Sequence, residues 1–297
     1  MNKKKLYVMT GLMIVIFICS MILNYSWQFC IYACVGIGGM FGIMHINLIK
    51  LVRNSNMYIR GLIIVGSVLI MRICGLSHGF GVIVLSVAAL VSCFILRKSI
   101  DIEKQKIIMT SGLLVGMNIA AAVAMIRRNT KMIYAFLERS GDANYIYMVL
   151  ERLWNNSLIW GKSAGMHELY QWLPCYTNTC ILTTYTAIYG KLCGTVVVLS
   201  VVGILFKVWY DMKKASRCGQ IIIAGSSIIL AMELLLMVME NLMLLPFTIN
   251  NAFLPFFSQK WQSVILSYIL MGCIMSVYRY DYIEAENMNK IEIHTEI

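Results

Sequence analysis

Charge is scarce in this chain. Only 13% of its 297 residues are Asp, Glu, Lys or Arg, against 60% hydrophobic, a balance that excludes an ordinary soluble domain. It holds no phosphate-binding glycine loop, no nucleophile elbow and no metal-spaced His/Glu cluster, so those chemistries have no motif to rest on. A net charge of +11 would suggest nucleic acid in a soluble protein. Here no basic run is interleaved with aromatics on a polar surface, and no nucleic-acid partner is expected. Nor does a small-x-small cleavage site follow Lys3, Lys4, Lys5 and the first apolar run, so that run reads as an uncleaved span. Proline is scarcest of all: Pro174, Pro246 and Pro255 are the three in the chain.

What the chain has in abundance is long apolar runs, at residues 6–23, 29–49, 58–74, 79–96, 107–126, 180–209, 220–244 and 261–278. About 20 apolar residues cross ~30 Å of hydrocarbon. The expected fold is all-α, a polytopic transmembrane helix bundle of about eight spans filling residues 1–280. The 180–209 run is too long for one straight span, and Gly190 to Gly194 is where it should break. The acidic segment 281–297 is expected to be a disordered cytoplasmic tail.

With Lys3 to Lys5 in the cytoplasm, Lys50, Arg53, Arg60, Arg97, Lys98, Lys104, Lys106, Lys213, Lys214, Arg217 and Arg279 fall on the same side, as do both termini. Arg127, Arg128 and Lys131 fall outside, which marks either a misplaced span or a binding feature. They open the one long outer loop, 127–178. Within it, Tyr145, Met148, Val149 and Arg152 stand at helical spacing. That stretch reads as a helix on the membrane interface, anchored by Tyr147, Trp154, Trp160 and Trp172, or as a cap over a lipid-substrate groove.

Polar groups inside spans are costly, about 2.5 to 3.5 kcal/mol for a central Arg or Asp. Arg72, Glu233 and Glu240 are the intramembrane polar residues of note. Glu233 and Glu240 are seven apart and share a helix face, so they should face the bundle interior or a wet cavity. They are a carboxylate pair satisfied by neighbouring helices or Arg72, a proton or cation site, or else Glu240 snorkels to the outer interface. Gly36, Gly38 and Gly39 sit mid-span, where glycine means close helix packing. His45 and His78, near span ends, read as packing residues.

Most of the ten cysteines lie in or beside apolar runs, where they act as small hydrophobes, and no metal site is expected. A disulfide between Cys175 and Cys180 is left open by sequence.

Proline fixes φ and lacks an N–H, so Leu173-Pro174, Leu245-Pro246 and Leu254-Pro255 mark shaped, irregular backbone between spans. Around these prolines the sequence resembles the SEDS family of cell-wall proteins, the RodA, FtsW and SpoVE type. Similar patterns run over about the last 170 residues. They comprise Ile126-Arg127-Arg128, Asp142-Ala143-Asn144-Tyr145, Trp160-Gly161-Lys162, Leu173-Pro174 to Thr179, Leu244-Leu245-Pro246, Leu254-Pro255-Phe256-Phe257-Ser258 and Ser276-Val277-Tyr278-Arg279.

The resemblance implies a helix bundle in a bacterial cytoplasmic membrane, serving peptidoglycan synthesis in cell shape, division or sporulation. Members polymerise the glycan of lipid II, usually beside a class B penicillin-binding protein. Membrane lipids, a lipid-linked cell-wall precursor and such a partner are thereby implied. Arg127, Arg128, Lys131 and Lys162 would hold a pyrophosphate, with Pro174, Pro246, Pro255 and Ser258 framing the substrate face.

The departures are as informative. The family's essential Asp aligns with Thr179, or with Asn178 if one gap is allowed, and no Asp or Glu occurs from Leu169 to Tyr210. A general base, or a carboxylate ligand for a divalent cation, is missing there. The expectation is a catalytically degenerate SEDS-like protein without cofactor that binds a lipid-linked precursor or a partner. One alternative is an active glycosyltransferase with Glu168 or Glu240 as the substitute carboxylate, where a divalent cation would serve. The other is a transporter or flippase using Glu233 and Glu240.

Overall fold

A computed structural model of the chain describes residues 3–24, 26–50, 134, 137–138, 142–161, 180–244 and 252–295. The apolar runs at 58–74, 79–96 and 107–126 lie outside them. Regular structure among the described residues is helical throughout, without a strand. The helices are α1 (Lys3–Asn24), α2 (Trp27–Met44), α3 (Asp142–Asn156), α4 (Ile181–Tyr189), α5 (Lys191–Met212), α6 (Arg217–Asn241) and α7 (Trp261–Thr295). Five are long and apolar enough to cross a membrane: α1, α2, α5, α6 and the Trp261–Tyr280 part of α7. The chain is thus a multi-pass helical membrane protein.

Contacts between helix ends fix their relative directions. Lys5, at the start of α1, is ion-paired with Asp211 at the end of α5. Asn24, at the far end of α1, bonds Phe257 just before α7. The Ser276 hydroxyl of α7 donates to the Ile46 carbonyl just past α2, at 2.6 Å. Hence α1 and α6 run one way and α2, α5 and α7 the other. One end of the bundle carries Lys5 and Asp211, the lysine end; the other carries Pro255, the proline end.

The most intimate pair is α2 with α7, which run parallel. A Cβ on Gly36 would come within 2.6 Å of the Tyr268 ring, and one on Gly272 within 2.9 Å of the Met40 carbonyl oxygen. Missing side chains at both positions let the helices approach, as small residues do between membrane helices. Gly38 has open space beside it, so only part of the glycine run packs. Within the crossing windows, 72% of α7 is buried but only 22% of α1; α7 is the axis and α1 lies at the periphery. Outward faces of α1 and α5 carry exposed Val15, Ile18, Leu199 and Phe206, as apolar hydrocarbon contact requires.

The 180–209 run breaks where the glycines suggest. Gly190 has φ 98° and ψ 162°, a backbone conformation essentially confined to glycine. A Cβ on Gly194 would lie 2.6 Å from the Thr186 methyl carbon, so α4 folds back on α5 rather than continuing it. Nine residues of helix reach about 14 Å, half of a hydrocarbon core. Residues 181–187 are nonetheless all buried, which makes α4 an inserted element that enters the bundle without crossing it.

Helix α7 runs on to Thr295, and neither proline nor glycine interrupts residues 273–295. Two differences from the sequence reading have physical causes. The helix that opens the second span ends at Met44, and His45 is an exposed cap residue whose Nδ1 lies 2.7 Å from the Phe41 carbonyl. Helix α3 buries Val149, Leu150 and Leu153, with Ile146 packed beside them. Tyr145, Met148 and Arg152 are exposed, so the apolar stripe is rotated from the face read in sequence, keeping the Arg152 charge in contact with solvent or headgroups.

Candidate functional site

The proline end is built around a buried loop. All residues from Ala252 to Ser258 are buried. Leu254, Pro255, Phe256 and Phe257 form a turn closed by the Phe257 N–H donating to the Leu254 carbonyl at 3.2 Å, with Ser258 N–H on the same oxygen at 3.1 Å. Pro255 supplies the fixed φ of the second position. Phe256, in the third, has φ 68°, as a type II turn demands and as a bulky side chain resists. Its ring is almost wholly buried and packs edge-on against Tyr268, centroids 5.3 Å apart. That packing holds a backbone conformation costing roughly 1–3 kcal/mol.

Buried irregular backbone needs partners, and three helices provide them. Asn24 Nδ2 of α1 donates to the Phe257 carbonyl at 3.0 Å. The Tyr185 hydroxyl of α4 lies 3.0 Å from the same carbonyl and 2.9 Å from Asn24 Oδ1. From α6, the Glu233 carboxyl accepts the Phe253 N–H. One carbonyl and one N–H of the loop are thereby satisfied by side chains from elements far apart in sequence, the Tyr185 hydroxyl sharing its single proton between the Phe257 carbonyl and Asn24 Oδ1.

Asn241 organises the neighbouring corner. Its Oδ1 accepts the Thr183 N–H at 3.1 Å and the Thr183 hydroxyl at 2.8 Å, so α6 caps the start of α4 in trans. Its Nδ2 donates to the Met237 carbonyl at 2.8 Å, and its own carbonyl accepts Trp154 Nε1–H of α3 at 2.9 Å. Segment 157–161 then closes the hinge between α4 and α5. Lys191 and Leu192 N–H donate to the Leu158 and Ile159 carbonyls at 2.9 and 3.0 Å, satisfying two orphan donors of α5.

Of the site residues suggested by sequence, Glu233 and Glu240 both face inward, 2% and 0% exposed. Pro255 and Ser258 are buried within the loop, not spread on an open face. Arg72, Arg127, Arg128, Lys131, Lys162, Glu168, Pro174, Asn178, Thr179 and Pro246 lie outside the described residues. Cys180 is buried beside α3, while Cys175 is outside them. Trp160 is exposed, Trp154 is held by Asn241, and Trp172 is outside.

Sequence reading missed Asn24, Tyr185 and Asn241. Their signal was faint: an amide at the last position of an apolar span, and a tyrosine among threonines. It also missed an ionic cluster at the lysine end. Asp211 is 1% exposed and pairs with Lys5, with Lys207 at 3.5 Å and with the Tyr278 hydroxyl at 3.2 Å. Among the described residues no group of His, Cys, Asp and Glu is placed to hold a metal ion. In comparisons with known proteins, no family model and no curated protein matches the chain.

Proposed function

We propose that this chain is a SEDS-like protein of a bacterial cytoplasmic membrane that binds a lipid-linked cell-wall precursor, or an assembly partner, without polymerising glycan. The observation that carries this reading is the turn at Leu254–Ser258. Its Leu-Pro-Phe-x-Ser frame is folded as a defined inner element, gripped by α1, α4 and α6. The carboxylates of its surroundings, Glu233 and Glu240, are buried in the bundle, and position 179 holds no acid. A frame kept while the acid is lost fits binding better than sugar transfer. In this reading the chain makes about eight spans with both termini cytoplasmic.

The deciding experiment is a lipid II binding and polymerisation assay on the purified protein, alone and with a class B penicillin-binding protein. Binding without glycan product is the expected result. Glycan chains that disappear in Glu168→Gln or Glu240→Gln would overturn it in favour of an active transferase.

Two buried elements that do not cross the bundle, α4 and the 252–258 loop, favour a second reading as a transporter of a lipid-linked precursor. That reading expects pH- or cation-dependent movement of labelled precursor across proteoliposomes, reduced in Glu233→Gln and Glu240→Gln.

A further inference from the structure

We propose that Glu233 is a proton-binding site whose occupancy decides whether the 252–258 loop stays seated in the bundle. The side chain is 2% exposed. One carboxyl oxygen serves the Phe253 N–H; the other, Oε2, has no hydrogen-bond partner among the described residues. The same carboxyl is thus both a buried orphan and a direct support of the loop.

Helix register shows what surrounds it. Gly219 packs against Val277, which puts Glu233 close to level with Gln262 and Ser263 on α7. Trp209 Nε1–H donates to the Ser227 hydroxyl at 3.0 Å, which puts it close to level with Gly203 on α5. Neither neighbouring level is charged. On α5, Lys207 and Asp211 hold each other at the lysine end, and Lys191 and Cys193 lie at the opposite tip. On α4, Tyr185 is engaged with Asn24 and Phe257, and Tyr189 with the Leu23 carbonyl. On the Trp261–Tyr280 part of α7 the titratable or charged side chains are Tyr268, Cys273, Tyr278, Arg279 and Tyr280. On α6 itself, Glu240 is about 10 Å further along the axis. Among the described residues no cation forms an ion pair with Glu233.

Among the described residues a proton is therefore the counter-charge within reach. With it, the carboxyl is neutral and still accepts the Phe253 N–H through its carbonyl oxygen. Without it, an unpaired charge sits in apolar surroundings, and the loop must withdraw to let water reach it. Withdrawal also frees Phe256 from its left-handed backbone, so the seated loop has little reserve against the added charge.

Hydrogen–deuterium exchange on the full chain in lipid nanodiscs tests this, with rates corrected for intrinsic base catalysis and α4 as the internal reference. Protection of residues 253–258 should fall with rising pH by up to about tenfold per unit, the limit for one linked proton. Glu233→Gln should remain protected and flat, and Glu240→Gln should keep the wild-type slope. Infrared pH-difference spectra of the unaltered protein give a readout independent of any variant. A buried protonated-carboxyl band should be lost over the pH range in which the loop opens. A flat wild-type profile, an unchanged slope in Glu233→Gln, absence of that band, or release that follows sodium or potassium concentration at fixed pH would each overturn the proposal.

Discussion

The lysine end and the proline end both tie α1 to helices that follow it by more than 150 residues, but with different chemistry. At the lysine end the tie is ionic: one buried aspartate gathers Lys5, Lys207 and Tyr278, so α1, α5 and α7 meet at a single side chain. At the proline end it is neutral, built from Asn24, Tyr185, Asn241 and Thr183, and much of it serves backbone groups. Both lysines keep part of their surface in solvent, which limits the desolvation of the ion pairs. At the proline end amides and hydroxyls do most of the work, with the Glu233 carboxyl serving the Phe253 N–H. An ionic clasp orients helices but tolerates variation in backbone. A neutral cluster that binds carbonyls and N–H groups dictates the shape of a loop.

The largest effect is expected at the hinge of the proline end. Gly190→Ala demands a glycine-only conformation and sets a Cβ 2.8 Å from the Ile159 carbonyl oxygen. The expected loss is roughly 4 kcal/mol, strain and overpacking together, read as a collapse of thermal stability in detergent. Next comes Asp211→Ala at the other end, expected to cost about 3 kcal/mol, the low end for a broken buried pair because both lysines can rehydrate. Exchanging the charges, Lys5→Asp with Asp211→Lys, should restore part of that loss in unfolding titrations, whereas either single change should not.

Tyr185→Phe removes one hydroxyl from the neutral cluster and should cost about 1–2 kcal/mol. Its signature is faster amide exchange at Phe257 and Ser258 with the lysine end unchanged; equal loosening at both ends would show that the two ends are not held independently. The smallest effect is expected at Met243, which ends α6 with φ 58° in a Schellman arrangement, Leu244 N–H bonding the Met239 carbonyl at 2.9 Å. Met243→Gly should gain no more than about 1 kcal/mol from the relieved left-handed backbone, offset by lost packing against the α3 cluster. Thermal unfolding of the pair of proteins checks it.

Legibility followed the range of the interaction. Span positions were readable because hydrocarbon thickness imposes a run length on any sequence, and Gly190 was readable because a helix break is local. The inward face of Glu233 and Glu240 follows from spacing alone. By contrast, Lys5 and Asp211 are 206 positions apart, and nothing in either neighbourhood announces the other. Pro255 declared an irregular turn, yet not that the turn would be buried or that a phenylalanine would occupy its left-handed position. Those facts depend on Tyr268 and Asn24, which no local pattern links to it. The candidate site was therefore visible as a frame of prolines, while the residues that hold the frame emerged only from the fold.

The parallel pairing of α2 with α7 has a consequence for how the protein is made. Contacting residues such as Gly36 and Tyr268 are separated by most of the chain. At 5–20 residues per second, on the order of ten to fifty seconds pass between their synthesis. Throughout that interval the glycine-lined groove of α2 sits in the membrane without its partner, open to lipid or to any membrane-insertion chaperone that can shield it. Closure of this pair therefore waits for the synthesis of α7, and ribosome stalling before α7 should leave an inserted protein with α2 still unpaired.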